Sequence, residues 1–79
     1  MVMSIALLFG RILQEKRQEK GLSQEQLAQI CGLDRTYISL LERGLRQPTL
    51  NSLFNISKGL EISPCIFIKL LEEQYEIGN

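Results

Sequence analysis

The sequence predicts an all-α fold of five short helices. Apolar residues recur every three or four positions along most of the chain, and no segment shows the alternation of a half-buried strand. Glycines and residues suited to helix capping separate these periodic stretches. The 79 residues, 44% hydrophobic and 23% charged, suit one small globular domain rather than two domains or a disordered chain. We therefore expect a single all-α domain over residues 1–79.

The first helix is expected over residues 4–20. Ser4 is suited to cap it and Gly21 to end it. Gly10, inside the helix, costs about 1 kcal/mol relative to alanine and therefore predicts a close packing contact at this position. The inward stripe, at positions i, i+3, i+4, i+7 and i+8, consists of Ile5, Leu8, Phe9, Ile12 and Leu13.

The second and third helices are expected over residues 24–31 and 35–43. Ser23 and Gln26 have the spacing of a capping box, which predicts the start of the second helix. Asp34 is suited to cap the third helix. Gly32 and Gly44 are expected to end the two helices, and the inward residues are Leu27, Ile30, Cys31, Ile38 and Leu41.

The fourth and fifth helices are expected over residues 50–58 and 64–75. Thr49 is suited to cap the fourth helix, and Gly59 followed by Leu60 is typical of a glycine C-cap with its apolar contact. Ser63 and Pro64 form an N-cap with proline at the first helical position. The helical period of the fourth helix is kept by Leu50, Leu53 and Ile56.

A helix-turn-helix unit is predicted over residues 24–43, because only three residues, one of them glycine, join two short helices. The outward side of the third helix carries Arg35, Thr36, Tyr37 and Ser39, which are groups that read base edges in the major groove of DNA. The N-terminal part of a recognition helix is the part that reaches the bases. The alternative is a merely solvated face, which would favour Glu and Lys over Thr, Tyr and Ser.

Polar residues beside this unit suit contacts to DNA phosphates. Gln24 lies at the N-terminus of the second helix, where free backbone amides and the helix dipole favour an anion. Capping alone is the alternative explanation for Thr49 and Ser52, at the start of the fourth helix. The other candidates end the third helix or enter the next loop, and they are Arg43, Arg46 and Gln47.

The fifth helix is more apolar than one face of a helix requires. A fully buried helix is the alternative explanation, but a chain this short offers little core to bury one. We expect Ile66, Phe67 and Leu70 to join the core of the monomer. The surplus residues, which predict a homodimer interface on the helix over residues 64–75, are Ile68, Leu71 and Tyr75.

Several classes of protein are disfavoured by composition. The chain has no histidine and only two cysteines, so we expect no metal site, no disulfide framework and a cytoplasmic location. No nucleophile–base pair or phosphate-binding glycine loop is present, so we expect no enzyme activity, cofactor or small-molecule ligand. The N-terminal apolar run is too short to span a membrane and lacks the features of a signal peptide.

The net charge of zero does not favour a nucleic-acid binder. The charges are distributed unevenly, however, because residues 1–48 carry a net +2 and residues 49–79 a net −2. This offset alone is weak evidence for a basic DNA-binding surface.

Residues 11–60 resemble the lambda-repressor/Cro (Xre-like) type of helix-turn-helix protein. The resemblance lies in the stretches GLSQEQLA (21–28), LDRTYIS (33–39), LERG (41–44) and QPT (47–49). Over the whole chain, the length, the segment 34–39, Arg46 and the stretch KGLEIS (58–63) are similar to controller proteins of restriction–modification systems. The resemblance implies a compact five-helix lambda-repressor-like domain. It also implies that the protein binds double-stranded DNA as a homodimer at a pseudo-palindromic operator. The regulated genes would be the protein's own gene and the nuclease gene.

The resemblance also implies roles for individual residues. Base or base-step contacts are implied for Arg35, Thr36, Tyr37 and Arg46, and phosphate contacts for Gln24, Ser39, Arg43, Gln47, Thr49 and Ser52. A structural ion pair is implied between Arg17 in the first helix and Glu42 near the end of the third. RNA polymerase is a further possible partner of such a regulator. Leu40 departs from many relatives, and it would either touch a thymine methyl or pack beside Tyr37.

Two alternatives remain open at this point. The chain would also suit an antitoxin, or a Cro-like repressor of a phage or plasmid. The other alternative is a protein-interaction module that masks a partner through the apolar fifth helix.

Overall fold

The computed structural model describes residues 3–78, with side chains described as far as Tyr75, and these residues form five α-helices. α1 spans Ile5–Glu19, α2 Gln24–Cys31, α3 Arg35–Glu42, α4 Leu50–Gly59 and α5 Pro64–Gly78. No strand occurs within the described range, so the all-α prediction is confirmed. The predicted bounds hold to within one residue except at the end of α5, which continues beyond the predicted Tyr75.

The helix starts follow the capping residues of the sequence. The backbone N–H of Gln26 donates to Ser23 Oγ at 3.0 Å, and the N–H of Ser23 donates to Gln26 Oε1 at 2.8 Å, which is a complete capping box. Ser4 and Thr49 also accept capping hydrogen bonds. Asp34 occupies the N-cap position of α3 as predicted, but its side chain makes no capping hydrogen bond.

One buried apolar cluster receives side chains from all five helices. The rings of Phe9 in α1 and Phe67 in α5 have centroids 5.3 Å apart, which joins the first and last helices. Burying one large apolar side chain contributes about 1.5–3 kcal/mol, so this cluster is the main source of stability. Its fully buried members include Ile12, Leu13, Leu27, Ile38, Leu41, Ile56, Leu60 and Phe67.

α1 packs against α3 and α5, and the closest approach to α3 is at Gly10. A Cβ atom added to Gly10 would lie 2.4 Å from the carbonyl oxygen of Leu41 and 2.6 Å from that of Glu42. Backbone atoms cannot yield to such a contact as a flexible side chain can. The predicted close contact is therefore confirmed, and it sets the distance between α1 and the C-terminal end of α3.

Three residues predicted to face the core are exposed instead, as is Leu50, which keeps the apolar period of α4. The exposed fractions are 50% for Ile5, 55% for Ile30, 76% for Leu50 and 40% for Ile66. Helical periodicity identifies the apolar face of a helix, but it does not show how far the neighbouring helices cover that face. The prediction for Ile5, Ile30 and Ile66 was therefore wrong, and the exposure of all four residues adds apolar surface to the molecule.

The end of α4 also differs from the prediction. The residue with left-handed φ is Glu61, at 59°, and not Gly59. A Cβ added to Gly59 would lie 2.6 Å from Sγ of Cys31, so this glycine permits close packing between α4 and α2. The apolar contact expected after the helix is present, because Leu60 is only 1% exposed.

Candidate nucleic-acid interface

α2 and α3 are joined by a tight turn through residues 32–34. Gly32 has φ 69° and ψ 33°, and the N–H of Leu33 donates to the carbonyl of Ala28 at 2.9 Å. A Cβ added to Gly32 would meet no atom within 4 Å, so the left-handed backbone, and not lack of space, favours glycine here. The two helices and this turn form the predicted helix-turn-helix unit.

One side of α3 is buried and the other faces solvent. Ile38 and Leu41 are 0% exposed and form the buried side. Arg35 and Thr36 are exposed on the first turn, and neither side chain makes a hydrogen bond to any residue within the range 3–78. Two of the four predicted base-contacting side chains are therefore presented to solvent with their donors and acceptors available.

Tyr37 is half-buried and is fixed from two directions. Its hydroxyl donates to Ser52 Oγ at 3.0 Å, and Ser52 Oγ also accepts from Thr49 Oγ1 at 2.9 Å. The guanidinium carbon of Arg46 lies 5.8 Å from the centre of the Tyr37 ring, within the range of a cation–π contact. Residues from α3, from the following loop and from α4 are thereby linked into one group.

Glu42 is 8% exposed and fixes the other end of α3. Its carboxylate accepts from Arg17 Nε at 2.6 Å and Nη2 at 3.0 Å, and from Gln24 Nε2 at 3.0 Å. Arg17 also donates to the carbonyl of Leu22 at 2.8 Å. The hydrogen bond with Glu42 raises the pKa of the Arg17 guanidinium. The expected ion pair is confirmed, and it connects α1, α2 and α3.

The residues predicted to contact phosphate differ in accessibility. Arg43 and Gln47 are exposed, whereas Ser39 and Gln24 are half-buried. Thr49 is exposed, but its hydroxyl caps α4. Ser52 is only 7% exposed and its hydroxyl oxygen is shared by Tyr37 and Thr49, so the clearest role of Ser52 is to position Tyr37. This link joins residues 15 positions apart in the chain, and local sequence patterns do not predict it.

The ion pairs are distributed unevenly over the molecule. Across residues 3–78, the salt bridges join Lys16 to Glu19, Arg17 to Glu42 and Lys20 to Glu61, so their three cations all lie in or just after α1. The arginines on α3 and the following loop have no acidic partner in that range, and they are Arg35, Arg43 and Arg46. Positive charge is therefore available on the α3 side of the molecule.

An apolar surface lies on α1, α4 and α5, and its members are exposed except Leu71, which is half-buried against the core. Ile5, Leu50, Ile68 and Leu71 line a cleft of about 170 Å³, and we call this the α1–α4–α5 surface. Ile68 is 50% exposed and Tyr75, one helical turn beyond Leu71, is 42% exposed. Ile68, Leu71 and Tyr75 were predicted to lie at an interface, whereas Ile5 was expected to face the core.

No group of three or more His, Cys, Asp or Glu side chains within residues 3–78 is placed to hold a metal ion. Cys31 is buried, which raises the pKa of its thiol, and Cys65 is exposed; both cysteines are free. None of the five helices combines the length and the apolar character that crossing a membrane requires.

Comparison with known proteins agrees with this geometry. A helix-turn-helix family profile matches residues 13–67, which include α2, α3 and α4 completely. The control protein C.BamHI of Bacillus amyloliquefaciens is 46% identical over 80 aligned residues, covering 100% of this chain and 94% of the relative.

Solved structures of controller proteins share the fold. The restriction–modification controller protein C.AhdI from Aeromonas hydrophila is 42% identical, with a TM-score of 0.77 over 78% of this chain and 94% of that one. A tetramer of the controller protein C.Esp1396I in complex with its natural 35 base-pair operator has protomers 40% identical to this chain. The TM-score is 0.82, over 92% of this chain and 96% of the relative. This chain therefore belongs to the helix-turn-helix family of transcriptional regulators, and along its length it is similar to restriction–modification controller proteins.

Proposed function

We propose that the protein binds a pseudo-palindromic operator as a homodimer, with α3 of each protomer in the major groove. The observation that carries this proposal is the two-sided character of α3. Its buried side is fixed by the core and by Glu42, while Arg35 and Thr36 are exposed and free to pair with base edges. Tyr37 and Arg46 stand beside them in a fixed arrangement and complete the proposed base-contacting set.

The proposed phosphate contacts surround this set. Arg43 and Gln47 offer exposed donors at the end of α3 and in the next loop. Gln24 is at the N-terminus of α2, where the backbone amides favour an anion, and Glu42 holds one end of its side-chain amide. The remaining members of the proposed set are Ser39, Thr49 and Ser52. Because Ser52 is buried and its backbone N–H already donates to Thr49 Oγ1, its phosphate contact would require a local movement of the start of α4.

The proposed dimer interface is the α1–α4–α5 surface together with Tyr75. Exposed apolar side chains around a cleft are costly in a monomer and are typical of an interaction site. A two-fold dimer would present two α3 helices about 34 Å apart, which is one turn of DNA.

The similarity to controller proteins supports a further step. We propose that the protein times expression of a restriction–modification system by controlling its own gene and the nuclease gene, with RNA polymerase as a possible partner. The support is similarity over nearly the full length of several controller proteins, one of them in complex with an operator.

Selection of bound duplexes from a random pool of roughly 30 base pairs tests DNA reading. Roughly physiological salt is used, because non-specific affinity is then only about 10⁻⁴–10⁻⁶ M. We expect a two-fold symmetric motif with half-sites about one turn apart. Its presence upstream of the protein's own gene would support the controller role. Failure of the folded protein to enrich any motif would contradict the proposal.

Arg35→Ala tests the recognition helix. It should weaken binding to the selected motif by about 1–3 kcal/mol and relax the preference at one base pair in each half-site. Arg11→Ala, which removes an exposed arginine from α1, is the matched control and should leave the preference unchanged.

Ile68→Glu tests the dimer, and Ile30→Glu is its control because the two residues have similar exposure, 50% and 55%. Sedimentation velocity should show a monomer for the first variant and a dimer for the second.

The exposed apolar surface also favours a second candidate function, a module that masks another protein. A wild-type protein that is monomeric, enriches no motif and co-purifies with a second small protein would support that candidate instead.

A further inference from the structure

Leu40 is half-buried, yet it is not one of the partly buried side chains that pack against the core cluster. The residues that do so include its neighbour in the helix, Tyr37, and Leu33 of the preceding turn. The core therefore gives no reason for a large apolar side chain at position 40.

The position of Leu40 on α3 places it among the proposed base-contacting residues. Because 3.6 residues complete one helical turn, residues four positions apart differ by only about 40° around the helix axis. Leu40 therefore lies on the same side of α3 as Thr36. Leu40, Thr36, Tyr37 and Arg46 line one depression on the surface, together with residues 32–34 of the turn. Leu40 thus supplies apolar atoms to a surface whose other members are mostly polar.

The Tyr37–Arg46 contact limits where Leu40 can find an apolar partner. The guanidinium of Arg46 lies over the Tyr37 ring at 5.8 Å from its centre, and the Tyr37 hydroxyl is held by Ser52. The two side chains therefore form a fixed polar side of the depression. An apolar ligand group would have to reach Leu40 from the solvent side of α3.

We propose that Leu40 reads the 5-methyl group of a pyrimidine in the major groove, and that in unmodified DNA this pyrimidine is thymine. The 5-methyl is the apolar group that base edges present in the major groove, and apolar side chains on a recognition helix contact it. The inference rests on the proposed function, since it assigns one further specificity-determining residue to the same DNA-binding surface.

A structural role for Leu40 would involve Leu45. The N–H of Leu45 donates to the carbonyl of Leu40 at 2.9 Å in the turn that ends α3, and such turns often include an apolar contact between these two positions. Leu45 is 61% exposed, however, so any such contact leaves most of the Leu45 side chain in solvent. Leu45→Ala is therefore the matched control for Leu40→Ala.

The test measures binding to duplexes that differ only at one pyrimidine of each half-site. Starting from the selected motif, each thymine in turn is replaced by deoxyuridine, which lacks the 5-methyl group and keeps the pairing with adenine. Loss of one buried methyl corresponds to about fourfold in affinity, so a change in both half-sites should weaken binding about 15-fold. A second pair of duplexes, with cytosine or 5-methylcytosine at that position, shows whether a methyl from modified DNA is read as well.

We expect one thymine position at which deoxyuridine weakens wild-type binding, and Leu40→Ala should abolish the difference at that position alone. Leu40→Met, which keeps an apolar side chain, should retain it, as should Leu45→Ala. Equal binding of thymine and deoxyuridine duplexes at every position would overturn the inference while leaving the proposed function intact. So would a difference that Leu40→Ala leaves unchanged or that Leu45→Ala removes. Failure of the wild-type protein to bind any duplex specifically would instead refute the proposed function.

Discussion

Glu42→Gln tests whether the buried ion pair holds α3 in place. The replacement keeps the shape of the side chain but removes its charge and replaces one acceptor oxygen by an NH₂ donor. Glu42 accepts hydrogen bonds from Arg17 Nε at 2.6 Å, Arg17 Nη2 at 3.0 Å and Gln24 Nε2 at 3.0 Å, so a glutamine amide would face donors with a donor.

The magnitude follows from the burial of the pair. The side chains of Arg17 and Glu42 are 11% and 2% exposed. Water therefore cannot solvate the Arg17 guanidinium that has lost its carboxylate partner unless the structure opens locally. Breaking a buried pair costs about 3–5 kcal/mol, and the retained acceptor oxygen of glutamine places our expectation near about 3 kcal/mol. For a domain of this size, that corresponds to a fall in Tm of roughly 12–24 °C.

Urea unfolding followed by helical circular dichroism measures this loss, at one fixed protomer concentration because dimerisation would add to the stability. Glu61→Gln is the control. The Lys20–Glu61 pair is as short, 2.6 Å, but its side chains are 39% and 76% exposed, so the midpoint should hardly move. A loss for Glu61→Gln equal to that for Glu42→Gln would refute the argument from burial.

Three further predictions concern packing, a buried hydroxyl and DNA phosphates. Gly10→Ala should destabilise the fold by about 2 kcal/mol or more, because its Cβ would lie 2.4 Å from the carbonyl oxygen of Leu41; an unchanged urea midpoint would contradict this. Ser57→Ala should raise the free energy of unfolding by about 1 kcal/mol, because the fully buried Ser57 hydroxyl has no hydrogen-bond partner among the described residues. A lower urea midpoint would mean that the hydroxyl has a partner. Arg43→Gln should reduce the slope of log K against log salt by about 2 for a dimer, measured by fluorescence anisotropy; the same reduction from Arg11→Gln would refute a specific role for Arg43.

The local parts of the fold were predictable from the sequence because their determinants are local. The capping box of Ser23 and Gln26 and the glycine of the turn at Gly32 each involve residues within a few positions of one another, and both were confirmed. The Arg17–Glu42 pair spans 25 positions, and its prediction came from the family resemblance.

The remaining features depend on which helices meet in space. The sequence alone does not show whether position 59 needs glycine for a left-handed backbone or for close helix packing. In the structure Gly59 has no left-handed φ, and an added Cβ would lie 2.6 Å from Sγ of Cys31, so close packing is the reason. Leu50 fits the apolar period of α4, yet it is 76% exposed because no neighbouring helix covers it. The Tyr37–Ser52 hydrogen bond joins two helices and has no signature in either helix alone.

The two-sided construction of α3 has a consequence for evolution. Its position is fixed by Gly10, Glu42 and the core, whereas exposed residues such as Arg35 and Thr36 make no contact that the fold requires. Substitutions at such surface positions usually change stability by no more than about 0.5 kcal/mol. A few substitutions on one face of α3 can therefore change the operator sequence that the protein recognises. Two copies of the domain in one cell can in this way come to bind different operators without either losing its fold.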